Sequence, residues 1–313
     1  MTKSNFSLRN AFVVYVFGTY EKYIPSFIYF INKNYPDDDI LVFSQGQIGS
    51  NIKKIIRNLN NYQIYENILL EHKDILGGGP RVLRYLLPRD YLKDYEYVYV
   101  GDVDILILKE NESLFDFHKS QMEKINLPFS NKVRFLPNGG ISERLTGLHF
   151  FEVAPYYDKV EDLIFRLLND KVFSEEYLKK LERDEHTLYR LAMDCFNFDP
   201  LLLTKTERPW HGFHIGVVRG GKKLTEKQLK ENSSISFDEI KCQLGDVLHE
   251  KEFVEIFNST FCIELYWSFK QFDLNLPFSF HLSYLLYGLN KKYKKVINKL
   301  KNIFNFLLKL LIY

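Results

Sequence analysis

One stretch constrains this chain more than any other: Tyr97-Val98-Tyr99-Val100-Gly101-Asp102-Val103-Asp104-Ile105-Leu106-Ile107-Leu108. A β-branched and aromatic run leads into two aspartates one residue apart, and a second apolar run follows. Apolar residues that do not alternate with polar ones indicate a strand covered on both faces, as in parallel sheets flanked by helices. Carboxylates are costly in such a core unless paired or bound to a cation. Asp102 and Asp104 are therefore expected where the strand ends and its side chains reach a cleft, the place where open α/β sheets bind ligands. Two carboxylates there suit a hard divalent cation that keeps positions open for substrate phosphates. The competing reading is an Asp-rich turn between two strands.

The segments before this one repeat a strand–helix rhythm. Ala11 to Phe17 reads as a strand, Tyr23 to Asn34 as a helix stopping before Pro36, Ile40 to Ser44 as a strand, and Ile48 to Leu59 as a helix. Such alternation predicts βαβ units and a mainly parallel central sheet flanked by helices. Gly77-Gly78-Gly79-Pro80 opens a helix over Arg81 to Leu87, with Pro in a favoured first-turn position. After the acidic pair, Ser113 to Lys124 reads as helical, Ser130 to Ile141 as irregular, and Leu145 to Val153 as the next strand. Tyr156 to Leu168 and Glu175 to Met193 then read as helices.

At 313 residues, the chain has room for two domain equivalents or one large α/β domain with additions. The charged stretch Lys222 to Asn232 marks a boundary, which divides the chain into a catalytic unit over 1–225, a helical extension over 226–288 and a terminal helix over 289–313. The net charge of +2 is too small to argue for a nucleic-acid partner. Cys195, Cys242 and Cys262 are odd in number and widely spaced, which fits neither a disulfide framework nor a zinc pattern and suits a reducing compartment. Residues 1–10 contain no apolar signal core and no run of eighteen apolar residues occurs, so a cytoplasmic location is expected.

The terminal segment differs from the rest. From Tyr293, apolar residues fall at 293, 296, 297, 300, 303, 304, 307, 308 and 311, the stripe of an amphipathic helix. Lys291, Lys292, Lys294, Lys295, Lys299, Lys301 and Lys309 are interleaved with it, and no acidic residue occurs from 291 onward. A basic amphipathic helix of this kind can lie in an anionic membrane interface. The alternative is a helix docked on the core with its lysines in water.

Four clusters carry candidate chemistry. Phe17-Gly18-Thr19-Tyr20 forms the turn after the first strand, where a glycine and aromatic rings can approach a nucleotide. Arg81 and Arg84 precede the acidic strand, and a guanidinium there can grip a phosphate or hold a carboxylate in place. Asp184-Glu185-His186 is an acidic helical segment. Arg208-Pro209-Trp210-His211-Gly212-Phe213-His214-Ile215-Gly216 offers two histidines and glycines that permit close backbone approach. A catalytic zinc site would have to borrow Asp102, Asp104 or His149, since no zinc signature is present.

In this order the segments resemble the glycosyltransferases of the nucleotide-diphosphosugar (GT-A) fold, most nearly the family-eight group that includes bacterial lipopolysaccharide galactosyl- and glucosyltransferases. The resemblance implies that Val98 to Leu108 carry the Asp-x-Asp that binds Mn²⁺ (or Mg²⁺) and the phosphates of a nucleotide-sugar donor. Asp104 would be the principal metal ligand, Asp102 would share the metal or bind the ribose, and a histidine of the His-x-x-Gly-like segment would be the third ligand. Phe17, Gly18, Thr19 and Tyr20 would face the nucleotide and Arg84 would assist at the phosphates. Gly147 and His149, in Thr146-Gly147-Leu148-His149, would lie beside the donor sugar. Asp184 and Glu185 would face that sugar and the acceptor hydroxyl as the catalytic pair. His211 fits one spacing to Gly216 and His214 another; Ile215 and Gly216 favour His214.

The sequence departs from the family in two places: there is no Asn before Gly147, and Pro209-Trp210 precedes the histidines rather than following them. The resemblance implies retention of anomeric configuration, whereas a general base among the two acids would invert it. Combined with the basic tail, it implies a peripheral enzyme at the inner membrane face whose acceptor is a glycan or lipid-linked glycan, as in lipopolysaccharide synthesis. Two alternatives remain: a non-catalytic nucleotide-sugar-binding protein on the same fold, and a sugar nucleotidyltransferase, for which Gly18-Thr19-Tyr20-Glu21-Lys22 is a poor phosphate loop.

Overall fold

The computed structural model describes residues 9–208 and 211–293. Six strands form the central sheet: β1 (Arg9–Val16), β2 (Asp39–Ser44), β3 (Tyr62–Tyr65), β4 (Tyr95–Gly101), β6 (Phe129–Ser130) and β9 (His149–Glu152), in the order β3-β2-β1-β4-β9-β6. The first four pair in parallel, whereas β9 runs antiparallel to both β4 and β6. The molecule is thus α/β with a mostly parallel sheet, as the strand–helix rhythm predicts.

Alternate residues of β1 enter two separate apolar layers. Phe12, Val14 and Val16 join one, with α1 (Ile24–Asn34), α2 (Ser50–Ile56) and α3 (Leu114–Ile125), while Ala11, Val13 and Tyr15 join the other, with α4 (Val153–Asn169) and α6 (Asp184–Phe196). Burial on both faces explains why the strand sequences do not alternate.

Three segments differ from expectation. Ser130 to Ile141 is not irregular throughout: β7 (Val133–Phe135) lies within it and forms an antiparallel ribbon with β8 (Ile141–Leu145). The strand expected over Leu145 to Val153 is therefore divided, with Thr146-Gly147-Leu148 passing from the ribbon to β9. The single helix expected over Glu175 to Met193 is two, α5 (Lys171–Leu178) and α6, because Arg183 is extended (φ −136°, ψ 151°). That break places Asp184 in the first turn of α6 rather than mid-helix.

Beyond the charged stretch come α7 (Glu226–Asn232), α8 (Phe237–Val247), α9 (Lys251–Ser259) and α10 (Ile263–Gln271), and residues 278–293 are helical. This part packs into the same apolar layer as α1, with the Phe253 ring 5.0 Å from Tyr29 and 5.6 Å from Phe30. Most of the terminal stripe, residues 294–313, lies outside the described residues. Among the described residues, no helix is long and apolar enough to cross a membrane.

Candidate active site

Strand β4 ends at Gly101, and the chain turns through Asp102 and Asp104 into the short strand β5 (Ile105–Leu106). β5 pairs antiparallel with β10 (Phe213–His214), placing Ile105 opposite His214. The Ile215 amide donates to the Asp104 carbonyl at 3.0 Å, which extends the pairing. This two-strand contact carries His214 across more than a hundred residues of sequence to the acidic pair. Its Nε2 lies 3.2 Å from Asp104 Oδ2, and one ligand atom from each of Asp102, Asp104 and His214 falls within 4.8 Å of the others. A Cβ on Gly216 would stand 2.8 Å from both Asp104 Oδ2 and His214 Nε2, so a larger residue there would push the two side chains from these positions.

Asp104 is 3% exposed. Burial alone would raise its pKa, but His214 and then Arg219 outweigh that and hold the carboxyl below its usual range. In the opposite sense, burial would lower the pKa of His214, and the Asp104 carboxylate overrides it to raise that pKa. Two carboxylates and one imidazole suit Mn²⁺ or Mg²⁺, the hard oxygens favouring either and the nitrogen favouring Mn²⁺. With a single imidazole and no thiol, the donor set is a poor match for zinc. His211 does not join this group: it is buried elsewhere, with Nε2 bonded to the Tyr35 hydroxyl and Nδ1 3.5 Å from Glu110.

Arg84 ties the acidic residues together. It sits on the 3₁₀ segment Gly79–Tyr85, donates to Asp102, and donates to Asp184 at 2.6 Å. Gly147 makes room for it, because a Cβ there would lie 2.9 Å from Arg84 Nη2. The Tyr85 hydroxyl fixes the same stretch by donating to the Gly147 carbonyl at 2.7 Å. Gly78 (φ +117°) packs directly on the start of α6, where a Cβ would lie 2.2 Å from the Asp184 amide nitrogen. Glu185 accepts from Arg134 at 2.7 Å and from Arg144 at 2.5 Å. Both expected catalytic acids are thus held by arginines.

Asp102, Asp104, His214, Arg84, Asp184 and Glu185 line one cleft of about 1240 Å³, together with Phe17, Tyr20, Arg134, Arg208 and Arg219. Phe17 and Tyr20 hold their rings 5.7 Å apart, and Gly18 and Thr19 form the turn between them without lining the cleft. His149 is placed differently from the expected donor-side position. It is 1% exposed on β9, among the rings of Phe129, Phe151 and Tyr156, with Nδ1 3.2 Å from the Asn131 amide nitrogen. Burial pushes its pKa down to about 3, and its side chain does not line the cleft.

Arg134, Arg144 and Arg219 join the acidic residues without being marked by any motif in the sequence. Arg134 lies in the segment expected to be irregular and Arg144 just before the next expected strand, so neither is marked by the sequence. Arg219 follows His214 by five residues, and that proximity was the available signal. Arg208 lay within the histidine segment but was given no role; burial, then the charge of Arg134, brings its pKa down to about 10.

No family model matches the chain, and no curated protein matches it by sequence. Among solved structures it is similar to the galactosyltransferase LgtC in complex with donor and acceptor sugar analogs, at a TM-score of 0.40 and 13% identity, covering 57% of this chain and 69% of that one. It is also similar to the glycosyltransferase GlyE of Streptococcus pneumoniae TIGR4, at a TM-score of 0.38 and 13% identity, over 60% of this chain and 44% of the other. A third is the bifunctional glycosyltransferase WbbM, at a TM-score of 0.37 and 11% identity, over 62% of this chain and 38% of the other. All three likenesses are distant, and the functional reading rests on the side chains of the cleft.

Proposed function

We propose that the chain is a metal-dependent glycosyltransferase of the GT-A kind, moving a hexose from a nucleotide-diphosphosugar, in the first instance a UDP-sugar, to a glycan acceptor. The observation that carries this reading is the convergence of Asp102, Asp104 and His214 at the carboxyl end of β4, beside Arg84, in a cleft also lined by Phe17 and Tyr20. A divalent cation bound by Asp102, Asp104 and His214 would supply charge neutralisation for the departing diphosphate. The rings of Phe17 and Tyr20 supply a face for a base. Arg84 holds Asp102 and Asp184 in fixed positions, so their charges need not reorganise as the sugar–phosphate bond breaks.

Retention of configuration is the favoured outcome. Inversion needs a carboxylate able to take the acceptor's proton. Asp184 is bound by Arg84, and Glu185 by Arg134 and Arg144. Both carboxylates are thus turned toward guanidinium donors on the protein rather than toward an acceptor hydroxyl.

Calorimetry with UDP, GDP and CDP, with and without Mn²⁺, on the natural chain and on Asp104→Asn tests the reading. Mn²⁺-dependent nucleotide binding that disappears in the variant is expected. Binding indifferent to Mn²⁺ would reduce Asp102 and Asp104 to a turn and remove the assignment.

The same reading includes attachment to the inner face of a membrane, where a lipid-linked glycan would be the acceptor. Its support is the helix over 278–293, on which Phe278, Leu282, Leu285, Leu286, Leu289 and Tyr293 are exposed at one-face spacing, in a sequence without Asp or Glu from residue 274 onward. Flotation with anionic liposomes, comparing the full chain with one ending at Gly288, tests it; equal flotation would remove it.

A further inference from the structure

Each aspartate of the candidate metal group already has a guanidinium partner. Arg84 holds Asp102, and Arg219 donates to Asp104. The Arg219 bond falls on Oδ2, the same oxygen that His214 Nε2 approaches to 3.2 Å. Arg219 also lies over the Tyr20 ring, 5.1 Å from its centroid, at the nucleotide side of the cleft. Its backbone breaks the turn that begins at Ile215 (φ −55°, ψ 139°), and Gly220 follows at φ +73°. One short segment therefore delivers both a ligand, His214, and a competing cation, Arg219, to a single carboxylate oxygen. The Arg219 side chain is 42% exposed, so it can leave Asp104 without opening the core.

We propose that Arg219 is a built-in competitor of the metal at Asp104, and that metal and nucleoside diphosphate consequently bind as a coupled pair. The proposal rests on the metal reading given above. With both carboxylates paired to arginines, a divalent cation entering alone has to displace Arg219 and leaves that positive charge without its partner. A diphosphate entering with the cation offers the displaced guanidinium oxygens that it can grip in bidentate fashion. Each ligand then raises the affinity for the other, by the same factor in both directions. Arg219 in this scheme holds Asp104 in the empty cleft and the diphosphate in the filled one.

The test is calorimetric and needs no turnover. Mn²⁺ is titrated into the full chain, Arg219→Gln and Arg219→Lys, each with and without saturating UDP, and near-UV circular dichroism confirms that all three are folded alike. The expected result is that Mn²⁺ alone binds about two- to fivefold more tightly to Arg219→Gln than to the natural chain, the gain that an exposed ion pair of ordinary strength would allow. Arg219→Lys keeps the competing charge and stays near the natural value. UDP should improve Mn²⁺ affinity about tenfold or more in the natural chain, and distinctly less in Arg219→Gln. Equal Mn²⁺ affinity in all three proteins, with Mn²⁺ binding intact, overturns the competition while leaving the metal site standing. Absence of Mn²⁺ binding in every protein, with or without UDP, overturns both.

Discussion

Arg84 and Asp184, a hundred residues apart in sequence, form an ion pair at 2.6 Å whose side chains are 8% and 7% exposed. The same guanidinium holds Asp102, so the start of α6 and the end of β4 are joined through one buried cation. Removing one partner of a buried pair strands the other charge. Arg84→Met should therefore destabilise the fold by about 3–5 kcal/mol. Much of that loss should disappear in the double variant with Asp184→Asn. Urea unfolding of the two single variants and the double closes the cycle, and additive losses would mean that the pair is not coupled.

Gly78 and Gly79 both have positive φ but differ in surroundings. A Cβ at 78 meets the Asp184 amide at 2.2 Å, whereas one at 79 meets nothing within 4 Å. Gly79→Ala should cost only the backbone strain, about 1 kcal/mol. Gly78→Ala should cost more, about 3 kcal/mol, and should also weaken Mn²⁺-dependent UDP binding, because it displaces the start of α6 and with it Asp184 and Arg84. Thermal denaturation and calorimetry on the pair give both quantities. Similar losses at 78 and 79 would contradict the close approach.

His214 and His211 are distinguishable by metal binding. His214→Ala should weaken Mn²⁺ binding in the presence of UDP by tenfold or more, roughly the least expected when a direct ligand is lost. His211→Asn should leave it unchanged, because His211 faces Tyr35 and Glu110. Manganese electron paramagnetic resonance of free against bound ion measures both variants.

Acid should unfold this protein earlier than a chain lacking its buried histidines. Burial, the largest cause in each case, lowers the pKa of His118 and His149 from 6.5 to about 3. Between those values the unfolded chain takes up a proton at each that the folded chain refuses, so stability falls as pH falls from about 6.5 toward 3. Each histidine contributes up to about 1.4 kcal/mol per pH unit in that window and nothing above it. Substituting Gln at both positions should flatten the slope of urea stability against pH between 6 and 4. An unchanged slope would show that neither histidine is buried as a neutral base.

The sequence by itself determined the elements whose information is local. The unalternating β1 and β4, the helix before Pro36 and the placement of Asp102 and Asp104 at a strand's carboxyl end all follow from runs of a few residues, because burial on two faces leaves a direct mark on composition. Only the tertiary structure decided which distant residues meet there. His214 rather than His211 reaches Asp104 because β10 pairs with β5, a contact between two-residue strands too short to leave any periodicity. Arg219 arrives on the same segment, and Arg134 and Arg144 on a ribbon that reads as loop. His149, two residues beyond the cleft-lining Gly147, fell into the core because β9 runs antiparallel beside β4, and strand alternation there is a property of the pairing rather than of the residue. Charges separated by a hundred residues carry no sequence record of being neighbours; the chain has to close before any of them acquires a partner.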